Sequence, residues 1–327
     1  MYFDWNGFYK MKFFKATVAY VGANYCGWQS QGNGNSIQEK IEAVLWQINQ
    51  VKTNIIASGR TDAKVNAQGQ VFSFQSTKNI SAYQWLGIFH TFLPNDIYVR
   101  LIEEVDEDFH ARFLVEQKTY VYYIHLGEYN VFRKDTYWQL NEKLDLEKMQ
   151  QAWSLFLGVH NFLSFNRSNI KEYPNQIRHI YQVEMKIIDQ DVNFLISGNG
   201  YLRHMVRTMV GTCVEVGRHK LTLADLQKML INPSRSYATK RAPAQGLCLQ
   251  NVSYHYCLAR NQAYLLRTVS LYDALDTKIC YQLHERKEGG KSFYFDQNGL
   301  LLMGQLPQDD AFKDIILKAR KKGLFIH

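Results

Sequence analysis

Between residues 13 and 254 the chain alternates two hydrophobic rhythms, runs rich in β-formers and stretches in which apolar side chains recur every three or four positions. Phe13 to Tyr20 predicts a strand. After the turn formers Gly22, Asn24 and Gly27, Ser36-Ile37-Gln38-Glu39 reads as a capping box, and Ile37, Ile41, Val44, Leu45 and Ile48 fall on one face of the helix it opens. Two strand-like runs, Asn54-Ile55-Ile56 and Gly69 to Phe74, then flank the loop from Ala57 to Ala67. A helix is expected over 81–92, stopped by Pro94, followed by strands over 97–105 and 118–126. Past a weakly patterned linker over 127–144 the theme returns: a helix over 145–157 ended by Gly158, strands over 178–188 and 192–198, helices over 201–216 and 222–231, and a strand over 246–254. This order predicts an α/β (α+β) fold of two related halves, residues 1–127 and 128–254, packed on a shared sheet. Periodicity leaves the strand order open.

Residues 255–327 form an extension with its own signals. Ser292 to Met303 reads as a hairpin around Asp296-Gln297-Asn298-Gly299, because Asn-Gly supplies the positive φ angles of a tight turn. A helix starting at Asp309 or Asp310 then ends in Lys318-Ala319-Arg320-Lys321-Lys322-Gly323, cations at the negative dipole end followed by a glycine cap. That basic cluster reads either as a solvated helix end or as an RNA contact.

A chain of 327 residues with 46% hydrophobic and 14% aromatic content has material for one large or two moderate cores. It lacks an apolar run of the roughly 18 residues a membrane helix needs, and its start lacks the pattern of a secretory leader, so a cytoplasmic protein with no membrane association is expected. Cys26, Cys213, Cys248, Cys257 and Cys280 are scattered without a Cys-x-x-Cys pair, which favours neither a zinc site nor a disulfide framework. The excess of 38 Lys plus Arg over 30 Asp plus Glu gives a formal charge of +8, which draws polyanions such as nucleic acid.

Chemistry concentrates in the loop Gly59-Arg60-Thr61-Asp62-Ala63-Lys64-Val65-Asn66-Ala67, which sets an arginine beside a carboxylate. By itself such a tripeptide is a common turn. Its surroundings resemble the tRNA pseudouridine synthase A (TruA) family, whose pattern is Gly-Arg-Thr-Asp, then Ala-Gly-Val-His-Ala and Gly-Gln-Val. The resemblance continues in order through Tyr20-x-Gly22-x-x-Tyr25-x-Gly27-Trp28-Gln29, Ser36-Ile37-Gln38, Leu93-Pro94-x-Asp96-Ile97 and Asp108-Phe109-His110-Ala111-Arg112-Phe113. Further blocks are Lys118-Thr119-Tyr120-x-Tyr122, Leu202-Arg203-His204-Met205-Val206-Arg207 with Val210-Gly211, and Ala242-Pro243-Ala244-x-Gly246-Leu247.

The resemblance implies a pseudouridine synthase fold, a continuous and mostly antiparallel sheet flanked by helices with the active-site cleft between the halves. It also implies a cofactor-free, metal-free homodimer acting on tRNA uridines of the anticodon stem-loop, positions 38 to 40 in tRNA numbering. That isomerisation breaks the N-glycosidic bond, turns the base in a closed pocket and rejoins it through carbon. It needs one carboxylate as nucleophile or base, for which Asp62 is the candidate. The base must leave its stack to be reached, and Arg60 is suited to fill the vacated space and hold phosphate. A carboxylate in apolar surroundings needs a cation beside it. Arg203 and Arg207, four apart on the expected helix, share a face, and the resemblance makes Arg207 the partner of Asp62. It also makes Tyr120 the ring stacked on the uracil and Leu247 the pocket's apolar floor. His110 and Arg112 are candidates for phosphate contact, or are simply solvated. His204, a single histidine without a ligand-spaced companion, reads as structural.

Lys64 and Asn66 stand where the family pattern has glycine and histidine. If the loop needs a positive φ there, lysine strains it, while its charge is placed to meet substrate phosphate. This departure suggests two alternatives, a catalytically silent tRNA-binding or chaperone protein, and, from the 255–327 extension, a synthase redirected to another RNA.

Overall fold

The computed structural model describes residues 11–32 and 35–254, and then strands over 256–259, 262–272, 278–288 and 291–295. Two units result, Met1–Tyr254 and His255–His327. In the first, β1 (Lys12–Tyr20) alternates as its sequence does, with Phe14, Ala16, Val18 and Tyr20 buried. Helix α1 (Ile37–Asn49) starts at the expected capping box: Ser36 Oγ accepts from the Glu39 amide at 3.2 Å, and Glu39 Oε2 accepts from the Ser36 amide at 3.0 Å. Ile37, Ile41, Val44 and Leu45 are buried and Ile48 packs beside them. Strands β2 (Ile56–Ala57) and β3 (Asn66–Ser76) bracket the loop that carries Asp62. Helix α2 (Ala82–Phe92), capped by Ser81 and Gln84, leads to β4 (Ile97–Val105), and β5 (Val115–His125) follows.

The stretch over 127–144 holds structure that its weak pattern did not suggest. A single 3-10 turn at Val131–Arg133 precedes β6 (Trp138–Gln139), which pairs in parallel with the end of β5. Helix α3 (Leu146–Ser154) stops short of the expected 157, and Gly158, at φ 100°, opens β7 (Gly158–Asn161). Then come β8 (Ile177–Ile188), β9 (Asp191–Gly198), α4 (Met205–Gly217), α5 (Leu223–Ile231) and β10 (Leu247–Tyr254). Helix α4 corrects the sequence reading, which began it at 201. Residues 203 and 204 form a turn in which His204 adopts the left-handed conformation, φ 65° and ψ 3°. Arg203 therefore lies outside the helix, and the shared helical face with Arg207 does not exist.

The sheet runs in the order β4-β1-β3-β10-β5-β9-β8-β7, with β2 added to β3 and β6 to β5. Along the main path every pairing is antiparallel except β10 with β3, where Cys248 lies opposite Asn66 and Leu249 opposite Ala67. The last strand of the unit thus sits near the sheet's middle. Its opening residues explain this: Leu247, Cys248 and Leu249 are consecutively buried, the mark of a strand covered on both faces. Strand β5, which precedes the expected boundary at 127, lies between β10 and β9.

In the second unit β11 (Tyr256–Ala259), β12 (Gln262–Tyr272), β13 (Lys278–Glu288) and β14 (Lys291–Phe295) pair antiparallel in sequence order. The turn and return arm of the hairpin expected at Ser292 to Met303, and the basic helix end at Lys318 to Lys322, lie outside the described residues.

Candidate active site

The loop before β3 is bolted down at nearly every residue. Ser58 Oγ donates to Gln70 Oε1 at 2.6 Å, and Gln70 Nε2 returns a bond to the Gly59 carbonyl at 2.9 Å. Lys118 Nζ donates to the Ser58 carbonyl at 2.8 Å. The hydroxyls of Thr61 and Tyr20 meet at 2.8 Å, and the Trp28 amide donates to the Thr61 carbonyl at 3.2 Å. Gly27 permits that approach, since a Cβ there would stand 2.6 Å from the Thr61 carbonyl oxygen, and its φ of 102° is itself one that suits glycine. Lys64, exposed, has a φ of 65°, so the strain expected of a lysine at this point is present.

Asn66 closes the loop. Its Oδ1 accepts from the Gly22 amide at 2.8 Å, and its Nδ2 donates to the carbonyls of Asp135 at 3.0 Å and Gln245 at 2.7 Å. This buried amide ties the loop to three distant segments, so the residue that looked like the loss of a titratable histidine is a structural clamp.

On this frame Asp62 is partly open, its side chain 28% exposed, and Arg207 Nη1 donates to its Oδ2 at 3.1 Å. The Arg207 side chain is only 10% exposed. Its Nε donates to the Ala242 carbonyl at 2.9 Å, and the Ala242 amide donates back to the Arg207 carbonyl at 3.0 Å. Burial pulls the Arg207 pKa down and the Asp62 charge opposes that shift. The residue read as merely structural also lies beside Asp62: His204 Nε2 is 3.6 Å from Oδ2, and Arg241 Nη1 is 2.8 Å from His204 Nδ1 and 3.4 Å from its Nε2.

Tyr120 is buried on β5, across from Leu249 and edge-on to Tyr201 at 5.2 Å between ring centroids. Burial raises its hydroxyl pKa far above the ordinary value, and the nearby Tyr20 and Asp62 charges push the same way. Leu247, buried at the start of β10, faces Tyr122 across the strands, while the Tyr122 hydroxyl donates to the Pro243 carbonyl at 2.7 Å. Arg60 is exposed and without an ion pair among the described residues. Arg203 is exposed in the turn before α4, its amide donating to Ser168 Oγ at 2.9 Å. Arg112 is exposed over the Phe113 ring; after burial, the larger cause, its charge helps pull Lys118 down to about 8. His110 Nδ1 accepts from the amides of Arg112 and Phe113 at 3.2 Å each, so that nitrogen closes a turn.

The structure therefore gathers Asp62 and Arg207, adds His204 and Arg241, and leaves Arg60, Lys64, Arg112 and Arg203 as exposed cations. Lys118, His204 and Arg241 were not singled out as active-site groups from sequence. Lys118 opens the Lys-Thr-Tyr block and Arg241 directly precedes Ala242-Pro243, but only the folded chain shows what they touch. Among the described residues no group of three or more His, Cys, Asp or Glu side chains is placed to hold a metal ion, and no helix is long and apolar enough to cross a membrane.

A family model described as tRNA pseudouridine synthase matches residues 16–114 and 152–255. A tRNA pseudouridine synthase A of Exiguobacterium sp. is 41% identical over 244 residues, 75% of this chain and 98% of that one. A tRNA pseudouridine synthase A 1 of Bacillus cereus is 37% identical over 243 residues, with 74% and 98% covered. Among solved structures, an H/ACA RNP bound to a substrate RNA containing 2'-deoxyuridine gives a TM-score of 0.31 at 14% identity, covering 62% of this chain and 44% of that one.

Proposed function

This chain belongs to the tRNA pseudouridine synthase family, and from that premise we propose that Asp62 is the carboxylate with which it isomerises tRNA uridine to pseudouridine. The observation that carries the proposal is the Asp62–Arg207 pair: a partly exposed carboxylate held at 3.1 Å by a nearly buried guanidinium, on a loop fixed by hydrogen bonds. An ionised carboxylate can attack the sugar carbon of the flipped uridine. The carbon–nitrogen bond breaks and the uracil leaves with the electron pair. After the base has turned, its C5 attacks the same carbon and the Asp62 oxygen departs. C5 then loses its proton and N1 gains one, so substrate and product have the same atoms and no redox partner is consumed. The site's task is to hold the detached uracil, for which Tyr120 offers a flat ring and Leu247 an apolar surface. Arg60, Lys64, Arg112 and Arg203 are free to meet RNA phosphates around the target.

The substrate nucleotides on this reading are uridines of the anticodon stem-loop, and the working form is a cytoplasmic homodimer. Mapping pseudouridine in tRNA from cells with and without the protein checks the positions. The carboxylate is tested by Asp62→Asn, which keeps the shape and removes the charge. Conversion is expected to vanish while tRNA affinity stays within a few-fold; pseudouridine made by the purified variant sinks the assignment.

A further inference from the structure

We propose that Asn66 is a positioning residue for the reaction: its buried side-chain amide fixes the loop of Asp62 against the segment 242–247, which holds Arg207 and carries Leu247. The inference rests on reading Asp62 as the reacting carboxylate, and it adds what sets that carboxylate's place relative to the pocket's apolar floor.

The orientation of the amide follows from its partners alone. The Gly22 amide can only donate, and it lies 2.8 Å from Oδ1; the carbonyls of Asp135 and Gln245 can only accept, and they lie 3.0 Å and 2.7 Å from Nδ2. An amide turned the other way would set donor against donor and oxygen against oxygen. As placed it uses its oxygen and both N–H groups, and the residue is 5% exposed, so the three bonds are shielded from water.

Each tie reaches a part of the site. Asn66 opens β3, and just before it the Val65 amide donates to the Asp62 carbonyl at 3.2 Å, so a shift of Asn66 is passed to the carboxylate residue. Gln245 lies in the segment whose Ala242 carbonyl accepts from Arg207 Nε at 2.9 Å and whose Leu247 amide donates to the Ala244 carbonyl at 3.0 Å. Gly22 stands so near the end of the loop that a Cβ on it would meet the Val65 carbonyl oxygen at 2.2 Å. The backbone ladder between β3 and β10 is short, Cys248 opposite Asn66 and Leu249 opposite Ala67, and the Asn66 side chain adds a tie beyond its end. The histidine of the family pattern could not do the same. A neutral imidazole offers one donor and one acceptor, and a charged one two donors and no acceptor, so either leaves one of the three groups unmet.

Two variants and one measurement on the full chain test this. Asn66→Asp keeps the size and the acceptor for Gly22 but sets a carboxylate against two carbonyl oxygens. Asn66→His keeps the acceptor and one donor. Single-turnover rates on saturating tRNA, taken per folded molecule, should fall about a hundredfold in Asn66→Asp and about tenfold in Asn66→His, with tRNA affinity within a few-fold of the parent in both. An amide that serves stability alone predicts lower denaturation midpoints with parental rates per folded molecule; that result, or a loss confined to affinity, overturns the inference. In the parent, the side-chain amide protons of Asn66, identified by the NMR signals lost in Asn66→His, should exchange with solvent at least about tenfold more slowly than those of a free asparagine. Exchange at the free rate overturns the proposal whether or not Asn66→Asp folds. Asp62→Asn is run alongside. Conversion surviving there fails the carboxylate reading itself, while a dead Asp62→Asn beside parental rates in both Asn66 variants fails only the role given to Asn66.

Discussion

Lys118 brings an ammonium group into the frame of the loop that carries Asp62, against the Ser58 carbonyl and so near Gly59 that a Cβ there would meet its Nζ at 2.6 Å. Burial, then the Arg112 charge, lowers its pKa from 10.5 to about 8. Between those two values the unfolded chain binds a proton that the folded chain has released, so this group's contribution to stability rises with pH across the window and is lost as pH falls through about 8. Urea denaturation of the parent and of Lys118→Met, followed from about pH 8 to pH 10, should show the parent gaining relative stability, by at most about 1.4 kcal/mol per pH unit. A difference that stays constant with pH rejects the shift. Residues near this lysine also mark what a sequence can display. The strain at Lys64 was legible, because a lysine at a point the family pattern fills with glycine signals a positive φ. The work of Asn66 was not: its partners Gly22, Asp135 and Gln245 lie 44, 69 and 179 residues away, and nothing local in an asparagine names them.

Helix α4 holds the site from below, and it is pressed against the segment that supplies Arg241 and Ala242. A Cβ at Gly211 would stand 2.1 Å from the Lys240 carbonyl oxygen, a backbone atom with no rotamer to swing aside. Gly211→Ala should therefore destabilise the protein by about 1–3 kcal/mol, the usual cost of overpacking. It should also slow conversion in the molecules that remain folded, because the displaced segment carries the carbonyl that holds Arg207 and the guanidinium that meets His204. Denaturation midpoints and single-turnover rates check this, and a destabilised variant with an unchanged rate uncouples the segment from the chemistry. The same helix shows why boundaries were harder to read than elements. Leu202, Met205, Val206 and Met209 keep a helical period through the turn at 203–204, so the pattern continues where the backbone does not. By contrast the capping boxes at Ser36 and Ser81 fix starts with local hydrogen bonds, and sequence placed those helices well. The weak pattern over 127–144 concealed β6, whose two residues carry too short a period to register.

At the scale of the whole molecule, the curated relatives are matched over 98% of their length by about three quarters of this chain, and the family model ends at residue 255. A protein ended after Tyr254 is accordingly expected to fold and to convert tRNA uridine within a few-fold of the full chain. If the cations of the removed segment contact RNA, its affinity will also fall less steeply with salt. Loss of folding in the shortened protein overturns the first expectation, and an unchanged salt slope removes the segment from the RNA contact. Within Met1–Tyr254 the strand that is made last occupies the middle of the sheet. Gln250 Nε2 reaches Gln68 Oε1 across 182 residues, while Leu249 sits between Ala67 and Tyr120. A growing chain on the ribosome can pair β1 with β3 and β5 with β9 early, but both sub-sheets then expose an unpaired edge, β3 on one side and β5 on the other. Closing so long a loop is slow, and open edges invite wrong partners while it lasts. The loop bearing Asp62 leads into β3, and Tyr120 lies on β5, so translation must run past Tyr254 before β10 joins the two strands into one sheet. The first unit is thus completed only by β10, its last strand, and a nascent chain stalled short of Leu247 would hold the loop of Asp62 beside one sub-sheet and Tyr120 on another not yet joined to it.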